Sequence, residues 1–168
     1  MSEIRLRALE LMDVDTLYEW ENDTAAWQEG STIAPFSRRQ LMDYVTTYDG
    51  DIYSARQLRL MIAVEGRIGA VGAIDLYEFD PVNLRAGVGI YIAPEFRGAG
   101  YGRAALEELA AYCRDRLGMH QLWAIAGQDN HRSRALFEEC GFTASGRLRS
   151  WLRRGTAYTD AYLYQRML

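Results

Sequence analysis

Three glycines within Arg97-Gly98-Ala99-Gly100-Tyr101-Gly102 are the residues of this 168-residue chain whose spacing best suits chemistry. A short apolar alternation runs into them and a long helical pattern runs out, so they form a strand-to-helix turn stripped of side chains. Such a turn brings successive backbone N–H groups to a phosphate, and the open N–H groups and positive dipole end of the next helix point the same way. The same glycines would also serve a tight turn that needs only positive φ. The flanking sequence has to separate a phosphate cradle from a plain turn.

Two nucleotide motifs can be tested directly. A Walker A loop needs a Lys-Ser/Thr pair after its last glycine, and Arg103-Ala104 stands there instead. Gly100-Tyr101-Gly102-Arg103-Ala104-Ala105 formally satisfies the dinucleotide pattern G-x-G-x-x-A, with Asp129 after the next strand. A doubly wound domain needs further βα units beyond that point, however, and only one short helix and a hairpin remain. Elsewhere, Glu29, Asp75, Tyr77, Glu78 and Tyr91 are groups able to relay a proton through water. His120 follows a helix stop and His131 begins a helix, and neither sits in a catalytic pattern. Cys113 and Cys140 fall in helical patterns without ligand spacing and read as buried thiols, so no metal is expected.

The elements that must position these groups follow from periodicity. Ile4, Leu6 and Ala8 alternate as a first strand, and Asp13 is placed to cap a helix through Val14, Leu17 and Tyr18. Ala25 to Phe36, with Trp27, Glu29 and Pro35, reads as a loop. Ser37-Arg38-Arg39-Gln40 has the form of a capping box and opens a second helix reaching Tyr48. Leu58 to Val64 and Ile68 to Tyr77 form a hairpin about Glu65-Gly66, and Ala86 to Ile92 a further strand. On that strand Gly87 and Gly89 share a face with Tyr91, which leaves a groove for a ligand or another backbone. A helix from Tyr101 to Leu117, a strand from Gln121 to Ala126 parallel to its predecessor, and a helix from Ser133 to Cys140 come next. Phe142 to Leu168 reads as a long hairpin about Arg153-Arg154-Gly155. The expected fold is α+β: a mixed, mostly antiparallel twisted sheet with helices on both faces and one central βαβ crossover.

Length and composition agree with one domain over residues 1–168: 49% of residues are hydrophobic and 25% charged, without repeats or low-complexity runs. Nineteen basic against 23 acidic residues give a net charge of −4. That balance argues against a nucleic-acid or anionic-membrane partner and permits a cationic one. No apolar run approaches a membrane span, and Met1-Ser2-Glu3-Ile4-Arg5 has no signal-peptide core, so a cytoplasmic protein is expected.

Arg97-Gly98-Ala99-Gly100-Tyr101-Gly102 resembles the Arg/Gln-x-x-Gly-x-Gly/Ala signature of the GNAT superfamily of acyl-CoA-dependent N-acyltransferases. Asn130-His131-Arg132-Ser133-Arg134-Ala135-Leu136-Phe137-Glu138-Glu139-Cys140-Gly141-Phe142 resembles that family's Asn-x-x-(Ser/Ala)-x-x-(Leu/Ile)-(Tyr/Phe)-x-x-x-Gly-Phe segment. Within the superfamily the chain is most similar to the branch holding spermidine and ribosomal-protein N-acetyltransferases. The resemblance implies acetyl-CoA as co-substrate, along Ile90, Tyr91 and Ile92 and between strands ending at Ile92 and Ala126. It implies a pyrophosphate site at Arg97, Gly98, Ala99, Gly100, Tyr101, Gly102 and Arg103, with Asn130 and Ser133 nearby. A backbone N–H near Ile92 would stabilise the oxyanion as a primary amine attacks directly in a ternary complex.

The acceptor implied is a polyamine, a small metabolite amine or a protein N-terminus, and Glu29, Asp75 and Tyr77 are the candidates to bind it. A homodimer through the C-terminal hairpin is also expected. Two positions depart from the family. Gly87 stands where many relatives carry a glutamate base, and Phe137 where many carry a tyrosine acid. They leave the catalytic side chains unassigned and raise the alternative of a non-catalytic acyl-CoA-binding or regulatory module.

Overall fold

The computed structural model describes residues 3–168; Met1 and Ser2, part of the N-terminal reading above, lie outside them. Seven strands form one sheet: β1 (Ile4–Arg7), β2 (Leu58–Val64), β3 (Ala70–Asp80), β4 (Arg85–Ile92), β5 (Gln121–Gly127), β6 (Thr143–Arg154) and β7 (Ala157–Met167). Their order across the sheet is β1-β2-β3-β4-β5-β7-β6. Every neighbouring pair is antiparallel except β4 and β5, which are parallel as their helical connection requires. The helices are α1 (Val14–Glu21), α2 (Thr24–Trp27), α3 (Arg38–Thr47), α4 (Ile52–Ala55), α5 (Tyr101–Asp115) and α6 (His131–Glu139).

Helices cover both faces, as the alternation within β2 and β3 demands. Met61 and Ala73 point to one face and pack with Val14 and Leu17 of α1 and Leu41 and Val45 of α3. Ile62, Ile74 and Leu76 point to the other and join Leu106 and Leu109 of α5 and Phe137 of α6 in the larger core. Both cysteines are buried free thiols, and burial pushes Cys113 up to about 12 and Cys140 upward as well.

Several local expectations change on packing. The stretch read as a loop from Ala25 to Phe36 overlaps α2, capped by Asp23, whose carboxylate accepts from Ala25 N–H. Asp13 does not cap α1. Its carboxylate is 2% exposed, takes both terminal nitrogens of Arg7 at 2.7 Å and accepts from Glu10 N–H. The capping box at Ser37 and Gln40 forms in both directions. Strand β3 starts at Ala70 rather than Ile68, because Gly66 and Gly69 both adopt positive φ and widen the reversal.

Candidate active site

Strands β4 and β5 pair over only three positions, Arg85 with Gln121, Ala86 with Leu122 and Gly87 with Trp123. Beyond them β4 continues to Ile92 and β5 to Gly127 without pairing, so the sheet parts. Register on the far side of β4 shows what this gap exposes. Ala93 N–H donates to the Val71 carbonyl across the Gly72/Ile92 pair, so Ile92 occupies a non-hydrogen-bonded position toward β3. Its own N–H therefore faces the opening, as does that of Ile90 two residues earlier. The Ile92 carbonyl accepts from Arg97 Nε at 2.9 Å, which folds the glycine turn back onto the strand end.

In that turn Gly98 and Gly100 have φ of +80° and +83°, a conformation that side-chain-bearing residues resist. Gly100 is the N-cap of α5, and its carbonyl accepts from Ala104 N–H. Among the described residues the N–H groups from Gly98 to Arg103 have no protein acceptor, which leaves a row of donors at the start of a 15-residue helix. Gly102 serves packing as well: a Cβ there would stand 3.3 Å from Leu136 Cδ2 of α6.

Turn and gap open into one cleft of about 1270 Å³. Its walls include Ile90, Tyr91 and Ile92 on β4, all of Arg97 to Arg103 except Ala99, and Asn130 and Ser133 on α6. Ala99 is exposed on the outside of the turn. Asn130 Oδ1 caps α6 by accepting from Ser133 N–H at 3.1 Å, so the cap is Asn130 and the Ser133 hydroxyl is left to the cleft. A second cavity of about 880 Å³ lies at the β1 edge by Arg5 and Arg67 and has no glycine turn in its walls.

The opposite wall comes from the sheet face toward α1 and from the α1–α3 connection. Arg59, Asp75 and Gly89 lie in register across β2, β3 and β4. Arg59 Nε and one terminal nitrogen hold both Asp75 oxygens at 2.7 and 2.9 Å, and the other terminal nitrogen holds Glu21 at 2.6 Å. Burial opposes the Arg59 charge, but the Asp75 hydrogen bonds and the two carboxylates raise its pKa above the ordinary value. The Trp20 and Tyr91 rings tilt together at 5.3 Å, and Trp27 Nε1 donates to the Glu21 carbonyl at 2.7 Å. Glu29 also lines the cleft. Sequence reasoning placed Glu29 and Asp75 here and missed Trp20, Glu21 and Arg59. The in-face position of Arg59 on an otherwise apolar strand was the available signal.

Tyr77, expected beside the acceptor, does not line the cleft. Its ring crosses Gly87 and meets Trp123 edge-on at 5.1 Å, and burial pushes its hydroxyl up to about 12. The groove read at Gly87 is thus filled by aromatic rings, while at Gly89 it opens into the cleft. A Cβ on Gly87 would lie 2.5 Å from Tyr77 Cζ and 2.9 Å from Trp123 Cζ2, so a side chain at the position of the familiar base would have to displace these rings. Phe137 is 4% exposed and packs against Phe142 and Tyr164, away from the cleft. The Tyr164 hydroxyl bonds Arg134 and Glu138, on the side of α6 turned from the cleft, and does not replace the missing acid. Gly72 was not singled out from sequence either. A Cβ there would collide with the Tyr91 carbonyl and approach Ile92 Cδ1 to 2.9 Å, so this glycine sets the close approach of β3 to the strand end that carries Ile92.

A mixed sheet that parts at its parallel joint, beside a glycine turn of uncommitted N–H donors, presents a geometry suited to an anionic group. Residues 3–143 match the Acetyltransferase (GNAT) domain, and the chain belongs to that family. It is accordingly an N-acetyltransferase, moving an acetyl group to an amine. The chain is 30% identical over 95% of its length to YdaF of Bacillus subtilis (strain 168), which carries the name of a ribosomal N-acetyltransferase and is covered over 82% of its own length. It is 25% identical to the spermidine N(1)-acetyltransferase of Vibrio cholerae serotype O1, covering 88% of this chain and 83% of that one. A spermidine N-acetyltransferase structure from Vibrio cholerae, in complex with CoA and spermine, shares the fold with a TM-score of 0.86 at 23% identity, over 98% of this chain and 95% of that one.

Proposed function

We propose that residues 1–168 form one acetyl-CoA-dependent domain that acetylates a primary amine by direct attack, with α-amino groups favoured as acceptors. The observation carrying this reading is the gap between β4 and β5, with the Ile92 N–H facing it and the donor row of Gly98 to Arg103 at its end. The donor pyrophosphate fits those N–H groups and the helix dipole, with Arg97 and Arg103 beside it. The pantetheine follows Ile90 to Ile92, with Asn130 and Ser133 across from it. The Ile92 N–H stabilises the oxyanion without a side chain.

The acceptor preference follows from what the site lacks. With no side chain at Gly87 and with Phe137 buried, neither familiar position supplies a base or an acid. A thiol of pKa ~8.5 leaves readily as its anion, so the acid is dispensable. Deprotonation matters more: at pH 7 an alkylamine is about one part in a thousand neutral, and an α-amino group near ~8 about one part in ten. Glu21 and Asp75 against the single charge of Arg59 suit a cationic acceptor. Polyamines and small metabolite amines remain acceptors to compare. A cytoplasmic setting goes with this proposal, as the two buried free thiols suit a reducing compartment. So does a homodimer through β6, the outer strand of the sheet, with Trp151 and Tyr158 exposed on the hairpin.

Thiol release from acetyl-CoA, followed at pH 7, 8 and 9 with a dipeptide amide, spermidine and a simple alkylamine, tests this. For the alkylamine kcat/KM should rise about tenfold per pH unit, whereas for the dipeptide amide it should flatten above pH 8. Binding of acetyl-CoA without thiol release from any amine would replace the enzyme with a non-catalytic acyl-CoA-binding module.

A further inference from the structure

Arg154, the last residue of β6, lies behind Glu29 and Asp129 of the cleft wall and is largely enclosed there, with 17% of its side chain exposed. Its Nε and one terminal nitrogen hold the two Asp129 oxygens at 3.0 and 3.3 Å. The same terminal nitrogen donates to Glu29 Oε1 at 3.1 Å, and the other donates to the Gln28 carbonyl at 2.6 Å. The second Glu29 oxygen accepts from Asn130 Nδ2 at 3.1 Å. One planar guanidinium thus joins three segments far apart in sequence: the α2–α3 connection, the turn after β5 and the tip of the C-terminal hairpin. Gly127 makes room for this junction, since a Cβ there would lie 2.7 Å from Asp129 Oδ1 and 2.9 Å from Leu152 Cδ1. The connection is also fixed at its base, where Asn22 exchanges two hydrogen bonds with the Phe36 backbone.

The charges do not cancel. Arg154 opposes both Asp129 and Glu29, leaving one net negative charge, and its hydrogen bonds hold Asp129 below the usual carboxylate range. Glu29 keeps 43% of its side chain exposed at the cleft, and a carboxylate accepts more hydrogen bonds than the two it receives here. We propose that Arg154 is a positioning residue which, with Asn130, sets Glu29 at the cleft mouth as the carboxylate that reads a second cationic group on the acceptor. This group is separate from the amine that is acetylated. The inference rests on the acceptor reading given above.

Gly-Arg-amide and Gly-Leu-amide test it, because both offer an α-amine and only the first carries a second cation that cannot be acetylated. In the wild type KM for Gly-Arg-amide should be about three- to fivefold lower, with kcat alike. Glu29→Gln should bring the KM ratio of the two peptides to about one. Arg154→Gln separates positioning from charge. It makes the mouth more negative, so charge alone would deepen the preference for Gly-Arg-amide, whereas loss of positioning abolishes it. Arg154→Lys keeps the charge without the fork and should give an intermediate ratio. Circular dichroism establishes that each variant is folded, and Glu29→Gln carries the test if Arg154→Gln is not. A wild type without preference, or an Arg154→Gln enzyme that keeps or strengthens it, would overturn the inference. Absence of thiol release with either peptide in the wild type would instead refute the acceptor reading itself.

Discussion

Placing a single methyl group on Gly87 should destabilise the protein although the residue lies in a strand, where alanine ordinarily improves on glycine. The new Cβ would stand 2.5 Å from Tyr77 Cζ and 2.9 Å from Trp123 Cζ2, well inside van der Waals contact with two rings that already pack edge-on at 5.1 Å. The two rings pack edge-on, so a shift of Tyr77 away from the new methyl disturbs its contact with Trp123. Overpacking of this kind costs about 1–3 kcal/mol, and disturbing an aromatic pair adds about 0.5–1.5 kcal/mol. A total near ~2–4 kcal/mol corresponds to a fall in Tm of about 4–16 °C for a domain of this size. The assay is thermal and urea unfolding of Gly87→Ala, Tyr77→Ala and the double variant. Once Tyr77 is truncated the Gly87→Ala penalty should shrink by about 1 kcal/mol or more, a coupling that reports the contact directly. A Gly87→Ala protein within about 1 °C of wild type would refute the reasoning. It would reopen position 87 to a base.

Three further outcomes follow. Asp13→Ala removes a buried carboxylate that holds Arg7 and the Glu10 N–H, and should cost about 3 kcal/mol, read as a lowered urea midpoint with an unchanged m-value; a midpoint equal to wild type would contradict the burial of that pair. Cys113 and Cys140, buried with thiol pKa values raised by desolvation, should stay unreactive toward a disulfide reagent at pH 8 until guanidinium unfolds the chain; rapid native labelling would contradict their placement. Gly100→Val forces a branched side chain into φ of +83° at the α5 N-cap and should weaken CoA binding at least about tenfold by titration calorimetry, with retained affinity counting against the cradle.

What the sequence disclosed and what it hid divide along the range of the interactions. Helix α5, the glycine turn and the Ser37 capping box were legible because period, caps and positive-φ residues are written within a few positions. The parting of β4 from β5 was not, since local pattern carries no register between parallel strands joined through a helix. Gly87 and Gly89 looked alike from alternation alone. Only the ring of Tyr77, arriving from β3 and meeting Trp123 of β5, makes one a filled contact and leaves the other open. Asp13 had the look of a cap until Arg7 claimed it, and Glu29 was an isolated loop carboxylate until Arg154, 125 residues away, bound it. The short helix α2 escaped because four residues hold no period.

The central claim, that the donor is seated by the turn after β4 where the sheet parts, is tested most directly by following backbone amide resonances as CoA is added. The largest shifts should fall on Gly98 to Arg103 and on Ile90 and Ile92, with smaller changes at Asn130 and Ser133 and little change along β1. Shifts concentrated at the β1-edge cavity around Arg5 and Arg67, with residues 98–103 unmoved, would contradict it.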